Sequence, residues 1–332
     1  MPQPLRSDAG RLVTILVDDR YRGAHGIGRY AREVLPRLEL EWTSLGLDGS
    51  PHSPLDAFRS VPATAAGDLV YSPGYGAFVR APRQILTIHD LIQTKLPWPG
   101  RAKFLAYYAG PVRTVVRRAG VVLTVSETSA REIREWVRDD AVRIVNAGNG
   151  CSEAFSTAGP AAPGLDPYVV FVGNVRSHKN LDVVLRALAL APGVRLTAVV
   201  PEVEASIVQS RAAGLGVLDR VTAVHGIDDA HLAELYRGAA ATVMPSTLEG
   251  FGLPALESIA CGVPVLFWRG CEAVAEIVGD RGWALDAAHD AEEWAAALLM
   301  AAAEVRRVDP PAAGTYDWGR TAAVVSGVLG RA

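Results

Sequence analysis

Glu249 and Glu257 stand with seven residues between them in the run MPSTLEGFGLPALESIACGVPV, residues 244–265. A β-rich run ends near Pro245, and a helical pattern starts near Pro254, a residue suited to the first helical position because the N–H it lacks has no partner there. A helix start offers unpaired N–H groups and the positive end of its dipole to an anion. Gly250 and Gly252 carry no Cβ and let the backbone come close to a phosphate. Two carboxylates beside a phosphate would repel it unless they face its hydroxyl groups. A ribose diol suits one of them and a sugar ring the other. The plainer alternative makes Glu257 a complement to the helix dipole and Glu249 a solvated loop acid. The glycine pair between strand and helix favours the ligand reading.

Other residues sit where a strand gives way to a loop or helix. Gly26-Ile27-Gly28 precedes a helical stretch, and Gly26-x-Gly28-x-x-Ala31 also fits the dinucleotide fingerprint. That fingerprint needs its first glycine almost at the strand end, whereas DRYRGAH intervenes here, and no acid closes a second strand. His89-Asp90 follows the strand QILTI. The run SPGYGAF (72–78) is a glycine- and aromatic-bearing loop that could line an acceptor site. Residues 101–119 mix five basic residues with Phe104, Leu105, Tyr107 and Tyr108, a pattern compatible with docking on a membrane surface. Pro111 interrupts it, and packing against a sheet explains it more simply.

These positions need strands to deliver them. Short β-rich runs alternate with helical patterns, the signature of parallel sheets flanked by helices. Strands are expected at 12–18, 69–72, 84–89, 121–125 and 142–146, with helices near 28–40, 101–118 and 129–137. Ser129-x-x-Glu132 would cap the last of these. Residues 156–167, rich in Pro and Gly, read as a linker. Strands follow at 168–173, 195–200, 220–226, 241–246 and 264–268, with helices at 180–190, 202–213, 229–238, 254–260 and 290–305. Asp290-x-x-Glu293 would cap the final one. The expected fold class is α/β, with two Rossmann-like doubly wound domains facing across a cleft. Such sheets bind ligands beyond the carboxyl ends of their strands.

Composition narrows the function classes. The chain has 332 residues, enough for two domains at roughly 150 each. Lys and Arg total 33 against 36 Asp and Glu, a net charge of −3, which argues against a nucleic-acid binder. No apolar run reaches the roughly 18 residues of a membrane span, and residues 1–11 hold no apolar core of a secretory leader. Three cysteines, Cys151, Cys261 and Cys271, form neither a disulfide framework nor a zinc motif. A cytoplasmic location is expected.

The Glu249–Glu257 block with GFGLP and ACGVPV resembles the Glu-x7-Glu signature of retaining glycosyltransferases of the GT-B fold, family 4. The resemblance runs on through GIGRY (26–30), IHDL (88–91), TVSETS (124–129) and FVGNVRSHKN (171–180). It implies an N-terminal acceptor-binding domain over 1–155 and a nucleotide-sugar-binding domain over 165–312. A closing helix at 315–332 would cross back to the first domain. Glu257 would bind the ribose hydroxyls and Glu249 the transferred sugar. The amides of Gly252 and Leu253 would hold the distal phosphate. Gly250, Phe251 and Ile227 are counted with them as substrate-binding residues. Lys179, six residues after Gly173, falls where the family places its diphosphate-binding lysine. Asn174 stands where the family has arginine, and Arg176 is the candidate replacement. Gly26, Ile27 and Gly28 would close over the donor phosphates, and His89 would lie near the transferred sugar.

The resemblance also implies same-face attack, in which the departing phosphate oxygen takes the acceptor's proton. No metal and no cofactor are required, since the nucleotide sugar is a substrate. The partners implied are a UDP-, GDP- or dTDP-linked donor and a hydroxyl-bearing acceptor, with neither nucleic acid nor a membrane. GIGRY and HKN resemble members that transfer mannose from GDP-mannose to surface polysaccharide. The Ala- and Arg-rich composition resembles that of a high-GC actinomycete, and a narrower resemblance is to avilamycin-type transferases of antibiotic biosynthesis. A non-catalytic nucleotide-sugar-binding subunit is the alternative of another class.

Overall fold

The computed structural model describes residues 5–6, 12–23, 25–51, 53–61, 68–162, 167–304 and 306–332. The chain divides into two units, Met1–Gly150 with Gly314–Ala332, and Cys151–Ala313. The leader reading of residues 1–11 lies almost wholly outside the described residues, as does the 163–166 part of the expected linker.

The first unit opens with a short antiparallel pair, β1 (Leu5–Arg6) and β2 (Leu12–Val13), ahead of β3 (Ile15–Val17). The helix α1 (Gly26–Val34) leads to β4 (Trp42–Ser44), followed by β5 (Leu69–Ser72) and β6 (Gln84–Leu86). Next come α2 (Ile92–Lys95), α3 (Arg101–Tyr107), α4 (Arg113–Ala119), β7 (Val121–Thr124), α5 (Glu127–Val137) and β8 (Arg143–Asn146). Four strands pair in parallel in the order β4-β3-β5-β6, and β7 pairs in parallel with β8. A bridge between Thr87 and Leu123 joins the two sets. β4 escapes the sequence reading because Trp42–Ser44 is a short, mostly exposed edge with no apolar run.

Two local expectations are corrected. The stretch 101–118 is not one α-helix: α3 and α4 meet at a π-helical turn, Tyr108–Val112, that contains Pro111. Proline has no N–H to continue the ladder, and the wider turn absorbs the gap. Phe104, Tyr107, Tyr108, Val112, Val115 and Val116 are buried in the core of this unit, which accounts for the aromatic pattern. No helix among the described residues is long and apolar enough to cross a membrane. The cap of α5 is Ser126, whose hydroxyl accepts from Ser129 N at 2.9 Å. Ser129 sits inside the first turn and donates its own hydroxyl to the carbonyl of His89 at 2.8 Å.

The second unit contains β9 (Tyr168–Val172), α6 (Leu181–Leu190), β10 (Arg195–Val199), α7 (Glu202–Gly214), β11 (Val221–Val224) and α8 (Asp229–Gly238). β12 (Ala241–Met244), α9 (Leu253–Ala260), β13 (Val265–Trp268), α10 (Glu272–Val278), β14 (Gly282–Leu285) and α11 (Ala291–Ala303) complete it. Six parallel strands run in the order β11-β10-β9-β12-β13-β14. The central strands β9 and β12 are buried on both faces, so they read as continuous apolar runs. β14 escapes that reading because Gly282–Leu285 is only partly buried, at the sheet edge. Asp290 caps α11 as its spacing suggests, accepting from Glu292 N at 2.9 Å.

Two connections differ in character from their composition. Residues 156–162 pack on α8: Arg237 donates to the carbonyls of Ser156 and Pro160, and Ala162 N donates to Glu234 O at 2.9 Å. At the far end, α12 (Trp318–Leu329) belongs to the first unit, where Ser326 Oγ accepts from Glu39 N at 3.0 Å.

Candidate active site

The order of strands in the second unit locates a crevice. From β9 the chain steps outward to β10 and β11, returns to β12 beside β9, and then steps outward the other way. Ligands of doubly wound sheets bind at such a reversal, beyond the strand ends. The loops that follow β9 and β12 hold residues 173–180 and 245–252.

These loops are laced together. Asn180 adopts the left-handed conformation, φ +52°, which asparagine tolerates better than most residues. Its Nδ2 donates to Pro245 O at 3.2 Å and Ala288 O at 2.6 Å. Thr247 N donates to His178 O at 2.7 Å. With the loops held so, Lys179 Nζ reaches Glu249 Oε1 at 2.6 Å, with the two side chains only 15% and 10% exposed. Coulomb attraction in such a half-shielded place exceeds that of a surface pair. The lysine stem lies against Gly173, where a Cβ would come 3.7 Å from Cδ and Cε.

The glycine-bearing loop ends at Gly252, the residue before α9, with φ +113°. A side chain there would be strained and would press Val274 Cγ2 at 3.2 Å. No side chain caps α9, and Pro254 brings no N–H. The amides of Gly252 and Leu253 donate to no protein acceptor among the described residues. A turn further on, Glu257 is 4% exposed and accepts from the Tyr236 hydroxyl at 3.2 Å. The arrangement offers an ammonium, two amides at a positive helix end and two carboxylates along the ends of adjacent strands.

Residues 155–304 match the family described as Glycosyl transferases group 1. Over 235 residues the chain is 32% identical to a D-inositol 3-phosphate glycosyltransferase of Nocardiopsis dassonvillei, an alignment covering 62% of this chain and 54% of the relative. The chain thus spans about half the length of that curated relative. Among solved structures, the sucrose-phosphate synthase of Thermosynechococcus elongatus superposes with a TM-score of 0.68 at 19% identity, over 95% of this chain and 94% of that one. The Anabaena protein HepE in complex with UDP and glucose gives 0.63 at 15% identity, over 96% of each chain. These likenesses show the fold, GT-B with two Rossmann-like units.

Within residues 155–304, the structure brings together Lys179, Glu249, Gly250, Phe251, Gly252, Leu253 and Glu257 around the two loops. Arg176 is on the same loop as Lys179 but is exposed, and its guanidinium makes no bond among the described residues. Ile227 is half-buried before α8 and packs against the cluster that holds Tyr236. Tyr236 carries no signal in the sequence, and His178 and Asn180 enter there only as part of the HKN run, with no role of their own. Burial and the neighbouring Lys179 ammonium push the His178 imidazole down to about 4. Cys271 lies near Glu249, and burial pushes its thiol up to about 12, so it stays protonated.

The candidates of the first unit are held by other means. His89 Nε2 donates to Pro73 O at 2.9 Å, and burial pushes its imidazole down to about 4, leaving it neutral. Gly28 N donates to His25 Nδ1 at 3.2 Å, which caps α1. A Cβ on Gly28 would come 1.9 Å from Gly23 O, so packing alone requires that glycine; one on Gly26 would meet nothing within 4 Å. Ile27 packs on the core of this unit. The loop 72–78 proves fully buried, with Gly76 N, Ala77 N and Phe78 N bonded to Tyr21, Tyr107 and Gln84, so it braces the sheet end. Its expected role as an open acceptor lining is corrected on that ground.

Proposed function

We propose that the chain is a retaining glycosyltransferase that moves a sugar from a nucleoside diphosphate to an acceptor hydroxyl. The reading rests on one observation above all, the pairing of Lys179 with Glu249 beside the uncapped start of α9. The UDP and glucose named for HepE and the sugar transfer named for the Nocardiopsis relative agree with it.

The donor's distal phosphate takes the amides of Gly252 and Leu253, with Gly250 and Phe251 shaping the loop. Lys179 exchanges its Glu249 carboxylate for the diphosphate, and Glu249 is released to the hydroxyls of the sugar. Glu257 binds the ribose, and Ile227 offers an apolar edge nearby. Arg176 adds positive charge from the same loop as Lys179. The bond from the anomeric carbon to the phosphate oxygen breaks while a bond to the acceptor oxygen forms on the same face. The acceptor's proton passes to the departing oxygen. Lys179 and the amides stabilise the charge that develops there, so the step needs no metal. In the first unit, His89 is a neutral polar group and Gly26 to Gly28 a close-approach loop, both assigned to substrate. The acceptor is a hydroxyl-bearing glycan or natural-product intermediate.

Calorimetric titration of UDP, GDP, dTDP and NAD in EDTA tests this, with Glu257→Ala alongside. One nucleoside diphosphate should bind near micromolar, about −8 kcal/mol, and weaken at least about tenfold in the variant. Unchanged affinity would remove Glu257 from the ribose, and binding of NAD alone would overturn the reading. GDP as the ligand would favour mannose as the sugar. Hydrolysis of the donor without acceptor would exclude a non-catalytic subunit.

A further inference from the structure

Tyr236, on α8, is fully buried, and its hydroxyl bonds nothing among the described residues except Glu257 Oε2. The ring is walled in by Phe155, edge-on with centroids 6.0 Å apart, and by Leu232, Ala233, Cys261 and Val263. A buried hydroxyl carries a desolvation cost, and phenylalanine would fill the same space without it. The hydroxyl is therefore spent on its acceptor. A glutamate's terminal torsion is broad, and a donor fixed in the core narrows the planes its carboxylate samples. A ribose diol needs one plane, with the acceptor lone pairs aimed at two adjacent hydroxyls.

We propose that Tyr236 is a positioning residue, which holds the carboxylate plane of Glu257 through Oε2 so that it meets the ribose hydroxyls of the donor. The proposal rests on the reading of Glu257 given under the proposed function. It assigns α8 a part in donor selection without direct contact to the donor. The loss of the hydroxyl should matter only when the ligand has ribose hydroxyls to be met.

The test compares the tighter binder of the two ribonucleotides, UDP and GDP, with its 2′,3′-dideoxy counterpart, in wild type and in Tyr236→Phe. Wild type should prefer the hydroxylated nucleotide by about tenfold, and Tyr236→Phe should cut that preference at least about threefold. The stripped nucleotide should bind both proteins within about twofold. An equal loss on both nucleotides assigns Tyr236 to packing and overturns the proposal. A wild-type preference that survives in Tyr236→Phe also overturns it while leaving Glu257 on the ribose. No preference in wild type removes Glu257 from the ribose, and Tyr236 with it. In a Glu257→Ala background, Tyr236→Phe should add nothing; additive losses would refute the coupling.

Discussion

Each unit contains a glycine-bearing loop that opens a helix after a strand, and the two differ in what their amides do. At α1, the His25 imidazole accepts from Gly28 N, and Gly28 is required because Gly23 O would strike a side chain there. At α9, no side chain caps the helix, and Gly252 and Leu253 keep their N–H groups uncommitted. Gly28 thus marks a close approach of protein backbone, and Gly252 marks space for an anion. Whether a helix start can hold a phosphate depends on what already caps it.

The largest effect that would sharpen this contrast is at the ammonium beside α9. Lys179→Ala should cut sugar transfer at least about 100-fold, 2.7 kcal/mol of barrier, in steady-state assays. A loss below about tenfold would put the chemistry elsewhere. The glycines come next. Gly28→Ala should destabilise the first unit by about 2 kcal/mol in denaturant melts through overpacking. Gly252→Ala should instead weaken nucleoside-diphosphate binding about tenfold, with at most about 2 kcal/mol lost to backbone strain. Equal stability losses without a binding effect would erase the distinction drawn between the two loops.

A smaller effect has the opposite sign. Glu249→Gln removes the carboxylate that competes for Lys179, so a nucleoside diphosphate without sugar should bind about fivefold tighter, near 1 kcal/mol, while transfer slows. Weaker binding in calorimetry would mean that Glu249 helps to hold the diphosphate. The smallest effect is on acid stability. His89 and His178 fall from 6.5 to about 4 in the folded protein, so the unfolded chain binds more protons between those values. Stability is full above pH 6.5 and declines as pH falls toward 4. His178→Leu should blunt that decline, read as a smaller fall in Tm between pH 6.5 and pH 4 than in wild type. An unchanged pH profile would mean that this imidazole does not govern acid stability.

Much of the second unit was legible because its central strands are buried on both faces and its helices start at recognisable residues. The Gly250–Glu257 segment could be placed at a strand-to-helix turn from local spacing alone. The edges were harder: β4 and β14 lack a continuous apolar run, and Ser129 looked like a cap although Ser126 holds that place one residue before α5. The SPGYGAF loop misled for a different reason. Glycine and aromatic residues suit an open ligand loop, but here tyrosine hydroxyls and Gln84 from elsewhere in the chain consume its backbone groups.

By itself the sequence determined the α/β class, the turn that carries Gly252, and the spacing that places Glu257 inside the helix it opens. These follow from local periodicities and from residues whose preferences act over a few positions. Only the tertiary structure decided that Lys179 meets Glu249, 70 residues away, and that Tyr236 meets Glu257. The reason is the order of strands: β12 lies beside β9 although β10 and β11 come between them in the chain. Local spacing carries no record of that neighbour, and the neighbour is what completes the site.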